Sequence, residues 1–304
     1  MRFRPFPVKI GNTTIAGVQE QGIEDGFGDI RELSDGQVDP SAQATARHDP
    51  RAAFSTIAVA TALGTVGFDG VRGALEMYDI KMGDAAEFNQ TSVHVKHEFT
   101  HGLHIPVNLS AGEGERNAIL SCQSFGFNPD GAAPHVVTED VALPTAVALN
   151  TEMYGLGPVR FGTGVSAVNI EGITAVSIDF GIAVEPDHSD GSIVTKDQGI
   201  TARMPVITIS SRYANLQTLV KGADGKGALA LTDTLNIYLR KRTATGYVAN
   251  ATAEHLKISI AAGEVYFAGV GGNPRVFTAR IHPKRNATGF GGLAAWIDTS
   301  SAIT

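Results

Sequence analysis

Short runs in which apolar and polar residues alternate, each cut off by glycine, constrain this chain more than any other feature. Val93-His94-Val95, Ile178 to Val184, Val206-Ile207-Thr208-Ile209, Leu256 to Ile260 and Val276 to Ile281 all carry that pattern. A period of two puts successive side chains on opposite faces, so each run can cover a core only as a strand. Thirty-five glycines punctuate the runs and aromatic residues make up 7% of the chain. The reading is a mainly β protein rich in turns.

The remaining composition narrows the class. At 304 residues and 43% hydrophobic, the chain can bury one large core or two ordinary ones. A formal charge of −7 argues against a general grip on nucleic acid, which needs clustered Lys and Arg. Cys122 is the single cysteine, so no disulfide can form within the chain. Met1 to Ile10 lacks an apolar stretch of signal-peptide length and no later run is long enough to cross a membrane, which predicts a soluble product.

One helix is expected. Asp49-Pro50 reads as an N-cap with proline in the first turn, Arg51 to Leu63 as the helix and Gly64 as its stop, with Phe54, Ile57, Ala58 and Ala62 on the core side. Pro129, Pro134, Pro144 and Pro158 fall among glycines between Asn128 and Gly164, which places a boundary near Thr151 and two domains at 1–150 and 151–304. Glu24, Asp25, Asp29 and Glu32 read as a solvated loop, or alternatively a contact or lumen-facing one.

Across that boundary similar strings recur in the same order. Ser34-Asp35-Gly36 returns as Ser189-Asp190-Gly191, Thr45-Ala46-Arg47 as Thr201-Ala202-Arg203, Gly64 as Gly222, Leu75 and Tyr78 as Leu235 and Tyr238, and His94-Val95-Lys96 as His255-Leu256-Lys257. Leu216, Leu219 and Val220 offer a second helix face. After Lys96 the offset breaks: Val107 to Glu113 matches Ile258 to Glu264, so the first copy is expected to carry extra residues at 97–106. The collinear order points to an internal duplication of a β-plus-helix unit. Three such chains could then close a ring of six quasi-equivalent units.

His97-Glu98-Phe99-Thr100-His101 has the form His-Glu-x-x-His, which on a helix aims two imidazoles at one zinc and leaves Glu98 as general base. The context is a strand instead: Thr91-Ser92-Val93-His94-Val95 leads in, Gly102 follows and Pro106 closes the segment. In a strand, His97 and His101 share a face roughly 13 Å apart. The zincin extension is also missing, with His104 and Val107 where glycine and histidine are required. His48, His94, His135, His188, His255 and His282 lie in separate segments. No nucleophile elbow, phosphate loop or Cys-x-x-Cys pair is present, so no catalytic, cofactor or metal residue is assigned.

Asp39-Pro40, Asp49-Pro50, Phe54-Ser55-Thr56, Ala58, Ala62-Leu63-Gly64, Gly67 and Gly70 resemble the N-terminal region of tail structural proteins of long-tailed bacteriophages. Gly102-Leu103-His104-Ile105-Pro106, Leu109-Ser110-Ala111, Ala118-Ile119-Leu120 and Asp130-Gly131 are similar to a segment of the same proteins. The resemblance covers the first half; the repeat ties in the second. It implies a tail-tube β-sandwich with a flanking helix, present twice, and a structural virion protein rather than an enzyme. The implied partners are further copies in stacked rings (a trimeric pseudo-hexamer, or a hexamer), other tail proteins and DNA passing without specific binding. The implied location is the virion tail after synthesis in the bacterial host cytoplasm, with no membrane contact. A tail-tip, baseplate or adhesion component is the alternative, and a zinc metallopeptidase through His97, Glu98 and His101 the third.

Overall fold

Alternation at period two dominates the three-dimensional arrangement as it does the sequence. The computed structural model describes residues 2–5, 7–32, 42–82, 93–114, 117–144, 153–162, 167–213, 215, 228–231, 233–243, 245–272, 274–285 and 294–303. The protein is mainly β. The first part of the chain runs β1 (Arg2–Pro5), β2 (Val8–Ile10), β3 (Thr13–Ile15), β4 (Val18–Glu24), β5 (Phe27–Glu32), β6 (Ala42–His48) and β7 (Arg51–Thr56). Helix α1 (Val59–Val66), β8 (Val71–Met82), β9 (His94–Gly112), β10 (Ile119–Phe127) and β11 (His135–Val141) follow. Next come β12 (Tyr154–Phe161), β13 (Val168–Ile170), β14 (Ile173–Asp179), β15 (Ile182–Asp187), β16 (Asp197–Arg203) and β17 (Val206–Ser211). The chain ends with β18 (Ala228–Ala230), β19 (Leu235–Lys241), β20 (His255–Ile260), β21 (Gly263–Gly271), β22 (Val276–Pro283) and β23 (Ala295–Ser301).

Strand β9 belongs to two neighbourhoods. Along one edge it pairs β8 and then β14; along the other it pairs β11 and then β10. Its first half thus completes the order β3-β2-β8-β9-β11, and its second half the order β4-β7-β10-β9. A separate sheet has the order β13-β12-β19-β20-β23, and β14-β17-β22-β21 continues from β9. Phe54, Leu63 and Leu120 share one hydrophobic cluster with Ile178, Ile209 and Ile258, so the core runs through both halves of the chain. Burying side chains of this size contributes about 1.5–3 kcal/mol each.

The helix lies elsewhere than expected. Asp49-Pro50 does not cap it: Arg51–Thr56 is β7, held between β10 and β4. Ala52, Phe54 and Thr56 are buried while Arg51 and Ala53 are exposed, so neighbours on both sides reward the strand period over local capping signals. Helix α1 follows, presenting Val59, Ala62, Leu63 and Val66 to the core. Gly64 sits inside it, and Gly67 ends it at φ +59° with its N–H donating to Leu63 O at 2.8 Å. This is a left-handed termination that glycine takes without strain. The expected strand Ile178 to Val184 is likewise two strands, turned at Gly181. The acidic stretch forms β4 and β5, not a loop. The second helix face, at Leu216, Leu219 and Val220, and the boundary at Thr151 lie outside the described residues.

Candidate assembly edges

The two halves meet at a strand junction. β14 pairs β9 with Ala175 opposite Gly112, Ser177 opposite Ser110 and Ile178 opposite Leu109. Val176, Ile178, Leu109 and Ala111 are all buried there. Main-chain bonds extend the ladder at both ends, from Phe180 N to Val107 O (3.0 Å) and from Glu113 N to Thr174 O (2.7 Å). Glu113 also pairs with Arg212 at 2.8 Å.

Several strands, β3, β11, β13 and β23 among them, have a neighbour on one side only among the described residues; two further such edges lie at the ends of the sheet that contains the junction. β4 pairs β7 on one side only. β21 pairs β22 throughout, but β18 covers its other edge only from Glu264 to Tyr266, leaving Gly269 to Gly271 open. Val270 there is 49% exposed. Open edges are where a sheet accepts another chain.

Beyond the junction, hairpin β15–β16 lies over the first half. Ile182, Val184 and Ile200 pack on Leu103, Ile105 and Phe125. Arg72 donates to Asp197 Oδ1 at 2.5 Å and to the Gln198 carbonyl at 2.6 Å. Asp49, almost wholly buried, accepts from Thr195 Oγ1 and lies 2.8 Å from His188 Nε2. Hairpin β5–β6 of the first half is bonded to the rest of the chain at His48, whose N–H donates to the Ile193 carbonyl, and is otherwise largely exposed. Every residue from Ala42 to Arg47 is exposed, as are Phe27 (63%) and Ile30 (47%).

The His-Glu-x-x-His string lies in β9. Phe99 points into the core with zero exposure, while His97 belongs to a chain of side chains at one end of the first half. His97 Nε2 is 3.4 Å from Asp79 Oδ2, and His97 Nδ1 is 3.1 Å from His135 Nε2. His135 Nδ1 reaches Asp25, and His48 stacks on Phe27 at 4.1 Å. The bond from His97 holds the Asp79 carboxyl below its ordinary range, against the effect of its burial. Burial pulls His48 down, with Asp25 opposing. His101 leans on Phe127 instead. Among the described residues, no group of three or more His, Cys, Asp or Glu is placed to hold one metal ion. The arrangement ties β8, β9, β11 and the turn before β5 together. Sequence spacing could not reveal it, because its members are far apart along the chain.

His104 is fully buried, with Ser124 Oγ at 2.8 Å and the Gly73 carbonyl at 3.1 Å on its two ring nitrogens. Burial pushes its pKa down to about 4, outweighing the bond to Gly73. The folded state therefore holds a neutral ring. Between pH 6.5 and 4 the unfolded chain gains a proton that the folded chain refuses, so stability falls with falling pH across that window. The expected loss is about 3 kcal/mol on this account. Urea midpoints at pH 7 and pH 4.5 check it, and the slope should flatten in His104→Gln.

The fold is thus an antiparallel β protein whose halves are joined by one strand junction, with strand edges unpaired among the described residues. No protein-family model matches this chain, and no curated protein matches it. No helix among the described residues is long and apolar enough to cross a membrane.

Proposed function

We propose that the protein is a subunit of a bacteriophage tail tube: two related β-sandwich units in one chain, three chains to a ring, and rings stacked around a DNA channel. The observation that carries the reading is the β9–β14 junction, a finished contact between the halves whose two missing counterparts are the open edges of β4 and β21.

Relatedness of the halves is supported by pairing order more than by the recurring strings. β3-β2-β8-β9-β11 corresponds to β13-β12-β19-β20-β23, and β4-β7-β10-β9 to β14-β17-β22-β21. β4 on β7 carries a bulge between Val18 and Glu20; β14 on β17 carries one between Ile173 and Ala175, the same place at a constant offset (173 − 18 = 155). Gly26 and Gly181 also correspond (181 − 26 = 155). Both have positive φ, and a side chain on either would meet a carbonyl, Asp49 O at 2.0 Å and Met204 O at 2.2 Å. On this reading the string match slips by one, since His48 and not Arg47 corresponds to Arg203. Residues 97–106 need not be an insertion either. β9 stands in one piece where the second half has β20 and β21, and a single offset links Gly102 to Gly263 and Leu109 to Val270 (263 − 102 = 161; 270 − 109 = 161).

Transferring the junction to the open edges sets Ile23 of one copy opposite Val270 of the next, and Gly22 opposite Gly271. Three copies joined in this way close the sheet that contains the junction into a ring, leaving neither the β4 nor the β21 edge open. The face turned away from the core then lines the bore. It carries Ser55, Ser121, Ser110, Ser177, Thr208 and Thr278, with acidic Glu20, Glu24 and Asp179 against basic Arg51 and Arg280. Small hydroxyls and a slight excess of carboxylates give DNA a surface without clustered cations to hold its phosphates.

Electron microscopy of the purified protein tests the reading. Stacked rings or hollow cylinders of constant bore with threefold symmetry are expected. Monomers or closed small oligomers at high concentration would overturn it and favour a tail-tip or adhesion role.

A further inference from the structure

We infer that hairpin β5–β6 is an intersubunit clasp, with Phe27 seated on the Tyr266 and His282 rings of the neighbouring copy. The inference rests on the ring reading above and adds a second, separate contact to it. Its template is inside the chain. β15 begins at Ile182, three residues after β14 ends at Asp179, and β14 pairs β9. That short connection leaves hairpin β15–β16 little choice but to lie over β9 and β10, where Ile182 joins the Leu103, Ile105 and Phe125 cluster.

β5 begins at Phe27, three residues after β4 ends at Glu24. If β4 adds to β21 of the next copy, hairpin β5–β6 must lie over that copy's β21 and β22. Phe27 corresponds to Ile182 (182 − 27 = 155), as their partners show, His48 for one and Arg203 for the other. The receiving surface follows from the same pairings. Ile105 corresponds to Tyr266 (266 − 105 = 161) and Phe125 to His282 (282 − 125 = 157). Tyr266 and His282 already form an edge-to-face pair with ring centres 5.0 Å apart, and His282 is exposed. The bed is more aromatic than the internal one, with Tyr266 where Ile105 stands, and the residue offered to it is aromatic in place of Ile182. Phe27, 63% exposed and backed by the His48 ring at 4.1 Å, is a rigid aromatic anchor of the kind that dominates interfaces. Glu264 lies beside the bed, held by Lys284 at 2.5 Å, and supplies a polar rim.

Cross-linking separates this contact from the ring itself. The one native thiol, Cys122, is buried and its pKa is raised to about 12, so it stays silent beside introduced cysteines. The pair Ile23→Cys with Val270→Cys reads the strand edge by disulfide formation; Phe27→Cys with His282→Cys, treated with a short bismaleimide, reads the clasp. Both double variants should give covalent dimers and a closed trimer as the main products, with each single variant remaining monomeric on a denaturing gel. Trimer from the edge pair but monomer from the clasp pair would overturn the clasp and leave the ring intact. Monomer from both would overturn the ring, and the clasp with it.

Discussion

Ile23→Lys is expected to stop ring closure while leaving the subunit folded. In the free chain Ile23 is only partly buried on edge strand β4, so a lysine there can keep its ammonium in water. In the closed ring its position matches that of Ile178, which has zero exposure opposite the 2%-exposed Leu109. A lysine at each such junction becomes a charge without a partner, a cost of about 3–5 kcal/mol. That is roughly a hundredfold or more in the association constant. Size-exclusion chromatography with light scattering should show monomer where the parent protein forms rings, with an unchanged circular dichroism spectrum. Adding Val270→Asp places a carboxylate opposite the ammonium and should restore part of the assembly. Unaltered assembly by Ile23→Lys would mean that β4 is not an interface strand.

Phe99→Ala should cost about 3–5 kcal/mol of folding stability, more than any other change within His97 to His101. Phe99 is among the largest side chains with no exposure, its ring lies edge-on to His135 at 5.6 Å, and Gly126 leaves room for it: a side chain there would meet the ring at 3.1 Å. His97→Ala removes a half-buried contact with Asp79 and should cost about 1 kcal/mol. Thermal unfolding of Phe99→Ala, His97→Ala and His101→Ala ranks the three. A zinc site would reverse the order, with the two histidine variants losing bound metal in elemental analysis and the larger share of stability.

The same segment shows how far the sequence could be read. Lead-in residues and Gly102 marked 97–101 as a strand, and alternation located β17, β20 and β22. Such signals are local, carried by neighbours in the chain. Asp49-Pro50 is also a local signal and points to a helix where β7 stands, because β7 is fixed by its pairing with β4 and β10, which are not its neighbours in the chain. In the correspondence proposed above, the string at Arg47 is out of register by one; strand pairing distinguishes offsets of 155 and 156, which a string as short as Thr-Ala-Arg does not. Least legible were the edges. Periodicity tells which face of β4 meets the core, yet nothing in Val18 to Glu24 says that one of its backbone sides pairs with β7 and the other with no strand among the described residues.

The undivided β9 has a mechanical meaning. At 19 residues it is a single tie, roughly 60 Å long, joining the two strand neighbourhoods of the first half. The second half makes the same passage with two shorter strands and a break at Ala261 and Ala262. A pull or twist at one end of β9 passes along a single hydrogen-bonded strand; in the second half the strand gives way to a bend between β20 and β21, which is expected to yield more easily. In the ring proposed above, stiffness would alternate from unit to unit, and the softer units would be where a passing deformation is felt first.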